Sequence, residues 1–148
     1  MALILASPVV VPFVLRELDP TGETVVTFRQ AMSEANQIRD RLVFGAQAKT
    51  FTDQGLRLDS GVPFSVRQMI ECRLTIAGLD GVYRDAAKEV PLMRFKNGKL
   101  AMTDDEFNKA WGDIPPGWAN TLHNCCLDAN PDWDFRTDPN SARESDEE

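Results

Sequence analysis

Residues 103–135, TDDEFNKAWGDIPPGWANTLHNCCLDANPDWDF, constrain the fold more than any other stretch of the chain. Thr103 followed three residues later by Glu106 is a capping box, in which each side chain accepts a hydrogen bond from the other residue's backbone N–H. Asp104 and Asp105 add negative charge where the helix dipole is positive. Phe107, Ala110 and Trp111 then share one helical face. Ile114-Pro115-Pro116-Gly117 must break that helix, because proline lacks an N–H and crowds the preceding turn. Trp118, Leu122, Cys125 and Cys126 return to helical spacing, and Asn130-Pro131-Asp132-Trp133 closes the segment. The stretch predicts two short helices with aromatic anchors.

The rest of the chain is read by the same signals. Val9–Leu18 is β-rich and alternates Phe13 and Leu15 against Val14 and Arg16. Asp19-Pro20-Thr21-Gly22 is a turn, and Glu23–Phe28 a second strand, so an N-terminal β-hairpin is expected over about residues 9–28. Pro12 restricts the first strand to an edge or a bulge. Thr27 with Gln30, and Ser65 with Gln68, match the capping-box pattern and predict two further helix starts. The first would carry a stripe of Phe28, Met32, Ala35, Ile38, Leu42, Val43 and Ala46. The second would bury Val66, Met69, Ile70, Leu74 and Ala77 and stop at Gly78. Lys49–Pro63 reads as a loop or a short strand pair around Phe51 and Leu56–Leu58. Asn97-Gly98 suits a type I′ hairpin turn within Arg94–Leu100.

The expected fold is therefore α+β and mainly helical. A single globular domain spans residues 1–136, with the hairpin at about 9–28 and a helical body at about 28–135. Residues 137–148 form a polar acidic segment, expected to be disordered because it cannot bury enough apolar surface to offset its ordering entropy. Charge is placed unevenly. Residues 1–102 hold 13 Lys and Arg against 11 Asp and Glu, whereas residues 103–148 hold 3 against 12. That excess argues against nucleic-acid binding through the C-terminal part.

Catalytic and metal chemistry find little to work with. The chain has one histidine, His123, and three cysteines, Cys72, Cys125 and Cys126. A structural zinc site needs four ligands, usually in spaced pairs. Cys125 and Cys126 are adjacent and point about 100° apart on a helix, so they read as small buried hydrophobes. No phosphate loop or nucleophile elbow is present. Asp104, Asp105 and Glu106 are explained by helix capping. No catalytic residue, cofactor or metal is expected. The apolar start MALILASPVVVPFVL lacks a basic flank, is interrupted by Pro8 and Pro12, and falls short of the roughly 20 residues of a membrane span. It reads as a leader and a strand of a cytoplasmic protein with no membrane partner.

PFVLRELDPTGETVVTFR, FSVRQMIECRLTIAGLDG and MTDDEFNKAWGDIPPGWANTLHNCCLDANPDW together resemble the tail assembly chaperones of long-tailed bacteriophages. The resemblance covers most of residues 12–133 and lies in the order of elements, not in a catalytic signature. It implies a mainly helical protein of the host cytoplasm, absent from the finished virion. Such a protein coats the apolar tape measure protein and helps recruit tail tube subunits. Many copies on one long client would favour self-association. The physical counterpart is apolar helix faces that hold a helical client, with Met69, Ile70, Leu74, Phe107, Trp111 and Trp118 as the expected contact residues. The competing classes are a structural virion subunit, such as a neck, tail-completion or tube protein, and an acidic mimic of DNA.

Overall fold

The computed structural model describes Leu3 and residues 8–45, 48–52, 55–59 and 62–137, with the backbone alone at 48–52, 55–59 and 137. The fold is α+β. β1 (Val10–Val14) and β2 (Val25–Arg29) form the expected hairpin, closed by a turn in which the Gly22 N–H donates to the Asp19 carbonyl at 3.0 Å. Asp19 makes that turn rigid: its carboxylate accepts from the N–H groups of Thr21, Glu23 and Thr24 and from the Thr21 hydroxyl. The hairpin gains a third, antiparallel strand, β5 (Ile76–Asp80), giving the order β1-β2-β5. Pro12 lies in the edge strand β1, where a missing N–H is tolerated.

This third strand corrects the expected helix end at Gly78. α2 (Phe64–Thr75) stops at Thr75, and Ala77 and Gly78 belong to the sheet. The pairing passes from Thr27↔Gly78 to Phe28↔Ile76, so Ala77 is the extra residue of a β-bulge. The bulge explains why Ile76 and Leu79, an odd number of residues apart, are both buried. Regular alternation would have sent them to opposite faces.

Two expected capping boxes are not formed. Thr27 is paired on both sides, with Pro12 and with Gly78, so it cannot start a helix. α1 (Ser33–Arg39) begins only after Met32, with no side-chain cap. Ser65 lies inside α2, because the N–H groups of Val66 and Arg67 close the first turn on the carbonyl of Pro63. The Gln68 amide instead donates to Asn120 Oδ1 at 2.8 Å. The α1 stripe is corrected as well. Arg39 and Val43 face inward, Phe28 is in β2, and Met32 and Leu42 are exposed. Past Arg39 the helix widens into one π turn, Asp40–Phe44. Ala46, the last residue of that stripe, lies outside the described residues.

β3 (Ala48–Thr52) and β4 (Gly55–Asp59) pair around Phe51 and Leu56–Leu58, the second of the two readings left open for that stretch. β6 (Phe95–Lys96) and β7 (Lys99–Leu100) flank Asn97 and Gly98, whose φ angles of 55° and 72° are those of a type I′ turn. Both hairpins and β5 interrupt the expected helical body.

The C-terminal pair follows the expectation closely. α3 (Asp104–Gly112) opens on the Thr103 capping box, with Glu106 N–H to Thr103 Oγ1 at 3.2 Å and Thr103 N–H to Glu106 Oε1 at 3.1 Å. Pro115 and Pro116 end one helix and begin the next, α4 (Pro116–Ala129). Thr103→Ala is expected to cost about 0.5–2 kcal/mol, read as a lower urea midpoint with an unchanged slope.

The core lies where α2, α3 and α4 cover one face of the sheet. Val26, Phe28 and Ile76 meet Cys72, Phe107, Ala110, Trp111, Leu122, Cys126 and Leu127 there. Asn130 ties α4 back to the sheet, accepting from the Ala31 N–H at 2.6 Å and donating to the carbonyls of Arg29 and Cys126. Two short 3-10 turns, Pro131–Trp133 and Phe135–Thr137, finish the described chain, and the rest of the acidic segment lies outside it. Among the described residues no helix is long and apolar enough to cross a membrane.

Candidate partner-binding surface

The six residues expected to hold a client separate into two groups. Ile70, Phe107 and Trp111 are buried in the core. They cannot meet a partner without opening the fold. Phe107 and Trp111 stack on each other, with ring centroids 6.0 Å apart. Met69, Leu74 and Trp118 are only half-buried. Leu74 and Trp118 open on separate grooves, so the structure does not assemble the six into one site.

Trp118 lines a groove of about 370 Å³. Leu15 and Leu18 after β1, Leu79 and Val82 around the end of β5, and Leu92 form its apolar wall with Leu122. The chain builds this wall through a close approach. Gly81 has φ +82°, and a Cβ there would stand 2.7 Å from the Glu23 carbonyl oxygen. A side chain at that position would push the β5 end away from the hairpin. Asp19 and Glu23 line the same groove. The Thr21 hydroxyl leads the hydrogen bonds that hold the Asp19 carboxyl below its usual range, so that side of the groove is anionic at neutral pH. Lys88 and Tyr83 line it as well, so a leucine wall and a half-exposed indole stand beside charged groups of both signs, a setting that can take a large apolar side chain from a partner.

A second constellation, which the sequence analysis missed, is electrostatic. Glu71, fully buried on α2, accepts from Arg39 Nε at 2.6 Å and pairs with His123 Nε2 at 2.7 Å. Arg67 Nε lies 3.5 Å from the same carboxylate, one turn earlier on α2. Burial pushes the Glu71 carboxyl up, but the His123 hydrogen bond and the Arg67 and Arg39 charges outweigh it, leaving the carboxyl below its usual range. An ionised carboxylate only accepts, so His123 carries its proton on Nε2. Aromatic rings enclose the cluster. The Arg39 guanidinium lies 5.0 Å from the Trp133 ring and 5.1 Å from Phe44, and Arg67 lies 5.3 Å from Phe44 and 5.5 Å from Phe135. The available signal was the i,i+4 spacing of Arg67 and Glu71. Arg39 and His123 come from distant elements that no local pattern joins to it.

Arg39, Arg67 and His123 converge on the one Glu71 carboxylate from three helices, and the buried Arg67 Nε, 3.5 Å from it, makes no hydrogen bond. Burial pushes the Cys72 thiol up, and the Cys125 thiol to about 11. The Thr75 hydroxyl gives its one proton to the Glu71 carbonyl at 2.8 Å, so the Cys126 thiol is the donor in its 3.3 Å contact with Thr75 Oγ1. Among the described residues no group of three or more His, Cys, Asp or Glu is placed to hold a metal ion. Comparison of the chain with known protein families, curated proteins and solved structures found no match.

Proposed function

We propose that this chain is a tail assembly chaperone of a long-tailed bacteriophage. It binds apolar helical segments of the tape measure protein in the host cytoplasm, helps recruit tail tube subunits, and leaves before the virion is complete. The observation that carries this reading is Trp118. Of the three tryptophans it alone is only half-buried, and it stands at a groove lined by leucines. Groove recognition of this kind takes one large apolar residue of an amphipathic helix, with its neighbours along the same stripe on the rim. The acidic excess of residues 103–148 supports the same reading, because a client rich in apolar surface needs a strongly charged coat to stay in solution. The resemblance of the three segments quoted above names the client class.

Co-expression tests it. The tape measure protein of the same phage, insoluble alone, is expected in the soluble fraction when this chain is present. Trp118→Ala is expected to weaken the complex by about 2 kcal/mol, roughly 30-fold in Kd, as for an interface anchor, with its urea midpoint close to the parent's. A client that stays insoluble beside a folded chain overturns the reading. Stoichiometric recovery of the chain from finished particles would do the same in favour of a virion subunit.

A further inference from the structure

The groove lined by Trp118 carries charge as well as leucines. Asp19, Glu23 and Lys88 all line it, and they are not equivalent. The Asp19 carboxylate is used up inside the hairpin turn, where it accepts from three N–H groups and from the hydroxyls of Thr21 and Thr24. Glu23 and Lys88 are exposed, and among the described residues neither side chain has a hydrogen bond or an ion pair. Other exposed charges of the same stretch do pair: Arg84 meets Asp113 at 2.9 Å, and Arg94 meets Glu106 at 2.6 Å. The groove therefore keeps one anion and one cation unengaged, the first from the turn before β2 and the second from the loop after β5. Lys88 also holds its backbone at φ 59°, in the left-handed region that a lysine seldom adopts. The Asp85 carboxylate fixes that turn, accepting from the N–H groups of Glu89 at 3.1 Å and Val90 at 2.9 Å. Glycine or asparagine would meet the backbone demand with less strain, so the turn itself does not call for a lysine.

We infer that this groove selects its amphipathic helix by charge as well as by the apolar anchor. The residue seated beside Trp118 is accompanied, within one turn, by an acidic residue that meets Lys88 and a basic residue that meets Glu23. The inference rests on the reading that the Trp118 groove holds an apolar helical segment, and it adds which segments are held. Residues three or four apart on one helix face have Cβ atoms about 5–6 Å apart, so anchor, acid and base fit on one stripe of two turns. Exposed ion pairs add little affinity. Their effect is discrimination, because a segment flanked by two acids or two bases sets one like charge against the groove. A long client offers many apolar residues, and the charges beside each decide which one is seated.

Fluorescein-labelled, alanine-based helical peptides with one central leucine read the outcome by anisotropy at low salt. Three peptides differ in the residues one turn to either side of that leucine: Lys and Glu, two Lys, or two Glu, with total charge equalised at the far end. The full chain is expected to bind the mixed peptide roughly 3- to 10-fold more tightly than either like-charged one, the swing of an exposed pair from attraction to repulsion. Lys88→Glu is expected to move the preference to the two-Lys peptide, and Glu23→Lys to the two-Glu peptide, with circular dichroism unchanged. Lys88→Asn, which suits the left-handed backbone, is expected to keep or raise the urea midpoint and yet lose discrimination against the two-Lys peptide. Equal binding of the three peptides by the parent overturns the proposal, as does a folded parent that binds none of them. Charge variants that keep the parent's preference overturn it too. Co-expression scores the underlying reading separately. A dissolved tape measure protein beside undiscriminated peptides sinks only the charge selection, whereas discrimination beside an insoluble tape measure protein sinks only the client.

Discussion

Glu71→Ala is expected to destabilise the protein by about 3–5 kcal/mol, the range for removing one partner of a buried ion pair. Against the 5–15 kcal/mol that holds a typical domain together, this is enough to leave the variant marginal. Glu71 is fully buried and is held by Arg39 at 2.6 Å and by His123 at 2.7 Å. Its removal takes away the buried carboxylate that Arg39 and Arg67 share and leaves Arg39, among the described residues, only the exposed Asp40, 3.5 Å from its Nη1. The loss is thus mainly the penalty of uncompensated buried charge, not the net worth of the pair. Guanidinium unfolding followed by tryptophan fluorescence measures it. A midpoint unchanged from the parent would mean that the cluster locks nothing.

The same carboxylate gives a pH dependence whose sign follows from its environment. Its folded-state value lies below the ordinary glutamate value of 4.5. Its contribution is therefore complete above that ordinary value and is lost as pH falls through the lower, folded value. Other carboxylates, Asp19, Glu106 and Asp134, are also held below their usual range, so the acid limb of the parent alone does not isolate Glu71. The difference between parent and Glu71→Gln does. It is expected to be constant above the glutamate range and to shrink as pH falls below it. A constant difference at all pH values would show that Glu71 is not ionised in the folded protein.

What could be read from the sequence depended on how local the signal was. The Thr103 capping box, the Pro115-Pro116 break and the Asn97-Gly98 turn are each set within four residues, and all three occur where their residues predict. The boxes at Thr27 and Ser65 carried the same pattern and failed. Strand pairing captured Thr27 from both sides, and the Pro63 carbonyl started α2 before Ser65 could cap it. A pattern with two competing outcomes is decided by contacts distant in sequence, as at β5, where Ile76–Asp80 completes the helical spacing of α2 yet pairs with β2. The candidate site was partly legible for a related reason. Periodicity finds apolar faces, but it does not separate a face that meets the core, as at Phe107, from one that meets solvent, as at Trp118. The Arg39–Glu71–His123 cluster spans three helices and had no local signature at all.

Phe107→Ala is expected to cost about 3–5 kcal/mol, the range for truncating a fully buried aromatic residue. Phe107 is wholly shielded from solvent and stacks on Trp111, so its loss opens a cavity among residues of three helices that cannot all close in on it. The test distinguishes core from interface among the tryptophan-rich contacts. Phe107→Leu keeps an apolar side chain but gives up three carbons, and is expected to recover part of that loss. At a temperature where a given variant remains folded, each folded molecule of Phe107→Leu is expected to bind client as the parent does. Trp118→Ala should show the converse, with a stable fold and weak binding. If Phe107→Ala unfolds at the parent's midpoint yet fails to bind, the residue faces the partner and the division into core and groove is reversed.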